Sequence, residues 1–127
     1  MPKQPYHIEY VLNGNSFPSI WIAISTPGGL SKWFADEVET IDEKNLRFKW
    51  KDQIQDAVIK TVKPNELIRL HWNDQEEKTF FQLRLTKDEL TGLITLIVDD
   101  HCSEEDLEGE KMFWNYCIEK LKRNLGI

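Results

Sequence analysis

Ser25-Thr26-Pro27-Gly28-Gly29-Leu30-Ser31-Lys32-Trp33-Phe34-Ala35-Asp36 is the stretch on which the fold turns. Pro27 disfavours helical dihedrals at Thr26, so a helix arriving from the N-terminal side must stop near Ser25. The same pair opens another. Thr26 is a good N-cap, and Pro27 at the first helical position gives up an N–H that would have had no partner there. A second short helix is therefore expected through Leu30, Trp33 and Phe34. The helix it follows carries Ile20, Trp21, Ile22 and Ile24, with Pro18 in its first turn and a turn and cap at Asn13-Gly14-Asn15-Ser16.

On the N-terminal side of this pair, Tyr6, Ile8, Tyr10 and Leu12 share one parity, with His7 and Glu9 on the other, which is the period of a half-buried strand. On the C-terminal side the pattern changes to strands between brief polar turns. Asp36 to Asp42 reads as a weak strand, joined by a hairpin around Asp42-Glu43-Lys44-Asn45 to a run in which Leu46, Phe48 and Trp50 alternate with Arg47, Lys49 and Lys51. Further strands are expected at Ala57 to Val62, Leu67 to Trp72, Thr79 to Thr86 and Leu90 to Asp99, the last with Gly92 as a place for a bulge or bend. From Ser103 the period becomes helical. Leu107, Trp114, Cys117, Ile118, Leu121 and Leu125 form an apolar stripe, acidic residues crowd the start, Lys120, Lys122 and Arg123 lie near the end, and Gly126 can terminate it.

The order is thus strand, two short helices, a meander of strands and one long helix. An antiparallel meander can pack one face and solvate the other, so the core should lie between the sheet and the long helix. We expect an α+β helix-grip fold: a curved antiparallel sheet of about six or seven strands, with the C-terminal helix packed across it. A length of 127 residues with no linker, repeat or low-complexity tract fits a single domain, 1–127.

Composition narrows the function classes. A net charge of -6 works against nucleic acid and anionic membrane surfaces, both of which select for lysine and arginine excess. No apolar run approaches the roughly 20 residues that cross a bilayer, and the first residues carry no apolar signal segment, so membrane insertion is not expected and a reducing cytoplasm is the simplest home. Cys102 and Cys117 are too far apart along a helix to bridge, and Cys117 falls on the buried stripe.

The element order and the segment from Ser25 to Asp36 resemble the START-like, or SRPBCC, superfamily of helix-grip proteins. They are most similar to the branch typified by activators of a heat-shock chaperone ATPase, where a threonine-proline pair, a leucine and a tryptophan-phenylalanine pair occupy the helices after strand one. Here these are Thr26, Pro27, Leu30, Trp33 and Phe34, and Trp72 ends a middle strand as is typical of the branch. In the final helix Phe113-Trp114 stands where many relatives have glycine-tryptophan. The resemblance implies a cavity more securely than a reaction, because members bind lipids, sterols or hormones, cyclise polyketides or contact a chaperone.

Strand parity and the helical stripe supply candidates for the lining of such a cavity: Tyr10, Trp21, Trp33, Phe48, Trp50, Trp72, Phe81, Trp114 and Ile118. A mostly apolar wall with a few placed polar groups is what a small-molecule site needs, yet the same rings can simply fill the core. Asp99-Asp100-His101 with Glu104 and Glu105 is the densest titratable cluster. Adjacent strand residues face opposite ways, so it reads as capping and dipole complementarity rather than a metal or acid–base site. Gly28-Gly29 lacks the strand, spacing and lysine of a phosphate loop, and Arg47, Lys49 and Lys51 read as a solvated outer face. Arg69, Arg84 and Gln82 also have outward parity; a bulge could bring one of them inside to hold an anionic head group.

No cofactor, metal or catalytic residue is assigned. The leading expectation is a binding module for a small apolar or amphipathic, lipid-like ligand held between the sheet and the C-terminal helix. The alternative is a protein-interaction module that contacts a chaperone or other partner, and third comes a cyclase-type or hydrolase-type enzyme.

Overall fold

The computed structural model describes residues 2–12 and 16–127, and the turn expected at Asn13-Gly14-Asn15 lies outside them. Seven strands form one antiparallel sheet: β1 (Gln4–Leu12), β2 (Glu37–Thr40), β3 (Asn45–Trp50), β4 (Gln53–Lys63), β5 (Leu67–Trp72), β6 (Phe81–Lys87) and β7 (Ile94–Cys102). Their spatial order is β1-β7-β6-β5-β4-β3-β2, so the meander runs from one edge inward and the first strand returns to pair with the last. The helices are α1 (Phe17–Ser25), α2 (Pro27–Leu30) and α3 (Leu107–Leu125). The sheet is curved and α3 packs across it, which is the helix-grip arrangement.

Local chemistry explains the junctions. Ser16 Oγ accepts from the Ser19 N–H at the start of α1, and Thr26 Oγ1 accepts from the Gly29 N–H at 2.9 Å while donating to the Ile22 carbonyl at 2.8 Å. Thr26 thus closes one helix and caps the next. α2 is shorter than the apolar spacing predicts: helical geometry ends at Leu30, and turns carry the chain through Trp33 and Phe34. Asp42 builds the β2–β3 turn by accepting from the N–H groups of Lys44 and Asn45.

β4 begins at Gln53, ahead of the expected Ala57, and both ends of the last strand differ from expectation. β7 starts at Ile94 rather than Leu90, and Gly92, with φ of 73°, serves the β6–β7 turn instead of a bulge within the strand. The strand also runs on to Cys102, carrying Asp100 and His101 with it. The one register shift along the meander falls in β4, between Ile59 and Thr61. It leaves Arg69 and Arg84 outside, where Arg69 donates to the buried Gln82 side chain and lies 3.9 Å over the Phe80 ring. Ser103 begins a 3-10 turn at Glu104–Asp106, and α3 follows from Leu107 and ends at Gly126 with φ of 75°.

The core lies between the concave face of the sheet and the helices. Leu46, Phe48, Leu70, Leu83, Leu96 and Val98 meet Ile20 and Ile24 of α1 and Trp114, Cys117, Ile118 and Leu121 of α3, all buried. Each large apolar side chain buried this completely contributes about 1.5–3 kcal/mol, and their sum offsets the ordering entropy of the chain. Among the described residues no helix is long and apolar enough to cross a membrane, and Cys102 and Cys117 are both free and buried.

Candidate functional site

The turn after α2 puts two aromatic residues to different uses. Trp33 is 1% exposed and donates its indole N–H to the Ala23 carbonyl at 2.8 Å, which staples α2 to α1. Phe34 points the other way, and its ring lies at centroid distances of 5.3 to 6.4 Å from Phe48, Trp50, Trp72, Phe81, Phe113 and Trp114. Such separations suit edge-to-face and offset-stacked pairs. The Phe34 carbonyl also accepts from Trp50 Nε1 at 3.0 Å, fixing that indole at the end of β3.

On the open side of this ring cluster lies a pocket of about 790 Å³. Phe34, Trp50, Trp72 and Phe81 form its sheet-side wall, and Gly109, Phe113 and Trp114 of α3 close it opposite. The β3–β4 hairpin, through Lys51, Asp52 and Gln53, borders it. Of the residues expected to line a cavity, Trp50, Trp72, Phe81 and Trp114 stand on this wall. Phe48 and Ile118 pack in the core with Trp33, Trp21 packs against the core from α1, and Tyr10 donates its hydroxyl to Asn115 Oδ1 at 2.6 Å.

The pocket also has a polar end. Tyr6 on β1 is paired in register with Asp100 on β7, and both face inward. Tyr6 Oη donates to Asp100 Oδ2 at 3.1 Å, and Trp114 Nε1 donates to Tyr6 Oη at 2.9 Å and to Asp100 Oδ2 at 3.3 Å. The His101 backbone N–H donates to Asp100 Oδ1 at 2.7 Å. Burial still outweighs these donors and pushes the Asp100 carboxyl up to about 6. Glu110, one turn of α3 before Trp114, is raised as well, first by burial and then by the charge of Asp100. Burial and the Asp100 and Glu110 carboxylates hold the Tyr6 hydroxyl far above its ordinary range, so it remains a neutral donor. Lys3 faces the same end and donates to the Gln75 side-chain carbonyl.

Sequence reasoning did not single out Asp100, Glu110, Lys3 or Gln75 for the cavity. The signal for Asp100 was its shared parity with Leu96 and Val98, hidden by the expectation that the strand stops at Asp99. Glu110 sits four residues before Trp114, hence on the same helical face. Among the described residues no group of three or more His, Cys, Asp or Glu side chains is placed to hold a metal ion.

A curved antiparallel sheet gripping one long helix, with an amphipathic pocket at the helix's N-terminal half, defines a helix-grip domain. The chain belongs to the START-like superfamily, whose domain matches residues 1–127 and whose members often bind small hydrophobic ligands. A Bacteroides fragilis protein solved by NMR in solution is 36% identical, covering 98% of this chain and 92% of that one, with a TM-score of 0.68. DynU16, from the dynemicin biosynthetic locus, shares the fold at 19% identity and a TM-score of 0.81; 98% of this chain aligns with 48% of that one. Aha1 from Colwellia psychrerythraea, solved as a dimer, shares it at 18% identity and a TM-score of 0.75, covering 100% of this chain and 98% of that one. No curated protein matches the sequence.

Proposed function

We propose that the chain, acting as one domain in a reducing compartment, binds a small amphipathic molecule in the pocket between the sheet and α3. The observation that carries this reading is the pocket itself. Its volume of about 790 Å³ falls within the roughly 300–1,000 Å³ of small-molecule sites, and its wall joins aromatic rings to a few converging polar groups. The rings therefore divide the labour: Phe48 and Trp33 fill the core, while Phe34, Trp50, Trp72, Phe81 and Trp114 reach the pocket wall for a ligand's apolar part. The two free cysteines suit a reducing environment.

The alternative of a protein-interaction module has less support. The basic stripe that could have met an acidic partner is already engaged, with Arg47 paired to Asp56 at 2.9 Å and Lys49 to Glu39 at 2.8 Å. For an enzymatic reading the polar groups offered are Tyr6, a neutral donor held between Asp100 and Trp114, and Tyr10, which is engaged with Asn115. Native mass spectrometry of the protein purified from its own host tests the binding reading. A retained small molecule, lost on Trp72→Ala, is the expected result; bare protein that also takes up none of a panel of amphiphiles would count against it.

A further inference from the structure

The polar end of the pocket is acidic, and its carboxylates outnumber its ammonium groups. Its wall carries Asp36, Asp52, Asp100, Asp106 and Glu110 against Lys3 and Lys51. The donors that reach the Asp100 carboxylate are the Tyr6 hydroxyl, the Trp114 indole and a backbone N–H, all neutral. Glu110 is half-buried and has no hydrogen bond or ion pair among the described residues. Lys3 offers partial compensation, with its ammonium donating to Gln75. Buried carboxylates left in this state are costly unless a positive charge joins them. On the wall beside them stand Trp50 and Trp72, and an aromatic ring attracts a cation through its quadrupole.

We propose that the ligand is an organic cation, an amphiphile whose apolar part lies among Phe34, Trp50, Trp72 and Phe81 and whose ammonium group sits beside Asp100 and Glu110. This rests on the pocket being a ligand site at all. Fatty acids, phosphates and other anions are disfavoured by the excess of carboxylates, and a neutral ligand leaves Asp100 and Glu110 with Lys3 alone to offset them. A metal ion is not called for, since the carboxylates are not grouped as a ligand set among the described residues.

Binding should also depend on pH. The groups at this end with Asp100 are Tyr6 from β1, Glu110 from α3 and Lys3 from the N-terminal segment, with Asp106 acting on Glu110, Cys102 lying further along β7 and His101 also on the pocket wall. Of these, the two carboxyls with raised protonation are Asp100 and Glu110. A cation needs them ionised, so affinity should strengthen as pH rises through about 6.

The test uses the whole chain and three probes of equal chain length, decyltrimethylammonium, decanol and decyl sulfate, below their aggregation concentrations. Calorimetric titration at pH 7.5 should show the ammonium binding roughly tenfold or more tightly than the alcohol, with the sulfate weakest. Between pH 5 and 7.5 the affinity for the ammonium, which has no proton to lose, should rise about tenfold, while that for decanol stays level. Glu110→Gln removes a half-exposed charge that makes no hydrogen bond or salt bridge among the described residues, so the variant should fold; it should weaken ammonium binding about fivefold and leave decanol unchanged. Equal affinity for all three probes, with no effect of Glu110→Gln, would overturn the cation while leaving the pocket as a ligand site. Binding of none of the three would overturn both.

Discussion

Replacing Asp100 by asparagine should stabilise the protein at neutral pH and cost it about 1 kcal/mol in acid. The Asp100 carboxyl rises from its usual 3.8 to about 6 on folding because burial disfavours its charge. Its pKa is thus higher in the folded than in the unfolded state, and between those two values the folded chain holds more proton. Stability therefore falls as pH climbs from about 4 to about 6 and stays at the lower level above that. At 1.36 kcal/mol per tenfold change in the proton equilibrium, a rise of this size corresponds to about 3 kcal/mol. Asparagine is nearly isosteric and neutral. Its carbonyl can still accept from Tyr6 and Trp114, but its amide cannot accept from the His101 N–H, now 2.7 Å from Oδ1. Losing that hydrogen bond costs about 1 kcal/mol, so the expected net gain at pH 7.5 is about 1–2 kcal/mol. Urea denaturation of both proteins at pH 4, 5, 6 and 7.5 reads the effect, since groups remote from Asp100 titrate alike in both and cancel in the difference, while relief of the charge on Glu110 adds to the gain in the same direction. A difference that does not change with pH, or a variant less stable at pH 7.5 than at pH 4 relative to the parent, would refute the buried, ionised carboxylate.

Three further outcomes follow from the packing. Gly29→Ala would place a Cβ 2.3 Å from the Ile22 carbonyl oxygen and 2.7 Å from Ala23 Cα, both backbone, so α1 and α2 must separate. The cost should be about 1–3 kcal/mol, and an unchanged melting temperature would mean that the helices are not in such close contact. Phe34→Ala removes the ring at the hub of the aromatic cluster and should cost about 3–5 kcal/mol in urea denaturation; a loss below 1 kcal/mol would show that the hub is not packed. The protonated His7 ring donates to Glu9 at 2.7 Å and to Asp99 at 3.0 Å, contacts that raise its protonation, so its NMR titration should lie above 6.5 and move back on Glu9→Gln. Its contribution to stability is present below the usual value and fades as pH rises through the raised one.

Much of the architecture was legible because it rests on local rules. Parity placed Tyr6, Ile8, Tyr10 and Leu12 on one face, Thr26 and Pro27 marked the junction of two helices, and Gly126 marked the end of the third. The site was less legible, for reasons that lie beyond local pattern. Which tryptophans face a void depends on where Phe34 sits, and that is decided by the turn that follows the shortened α2. Trp33 and Trp50 have similar sequence surroundings, yet one is tied to Ala23 under α1 and the other reaches the pocket. Asp100 was separated correctly from Asp99 by parity, but its burial depends on β1 pairing beside it and on α3 bringing Trp114 overhead. The pairing with β1 joins residues 94 positions apart, and no window of sequence shows it.

The five tryptophans offer the most direct test of the central claim, because each indole N–H gives its own signal in a nitrogen–proton NMR spectrum. On titration with an amphiphile of about ten carbons, the signals of Trp50, Trp72 and Trp114 should move together and saturate with one affinity, while those of Trp33 and Trp21 stay in place. Shifts confined to Trp21 and Trp33, or no shifts with any amphiphile tried, would contradict a ligand site between the sheet and α3.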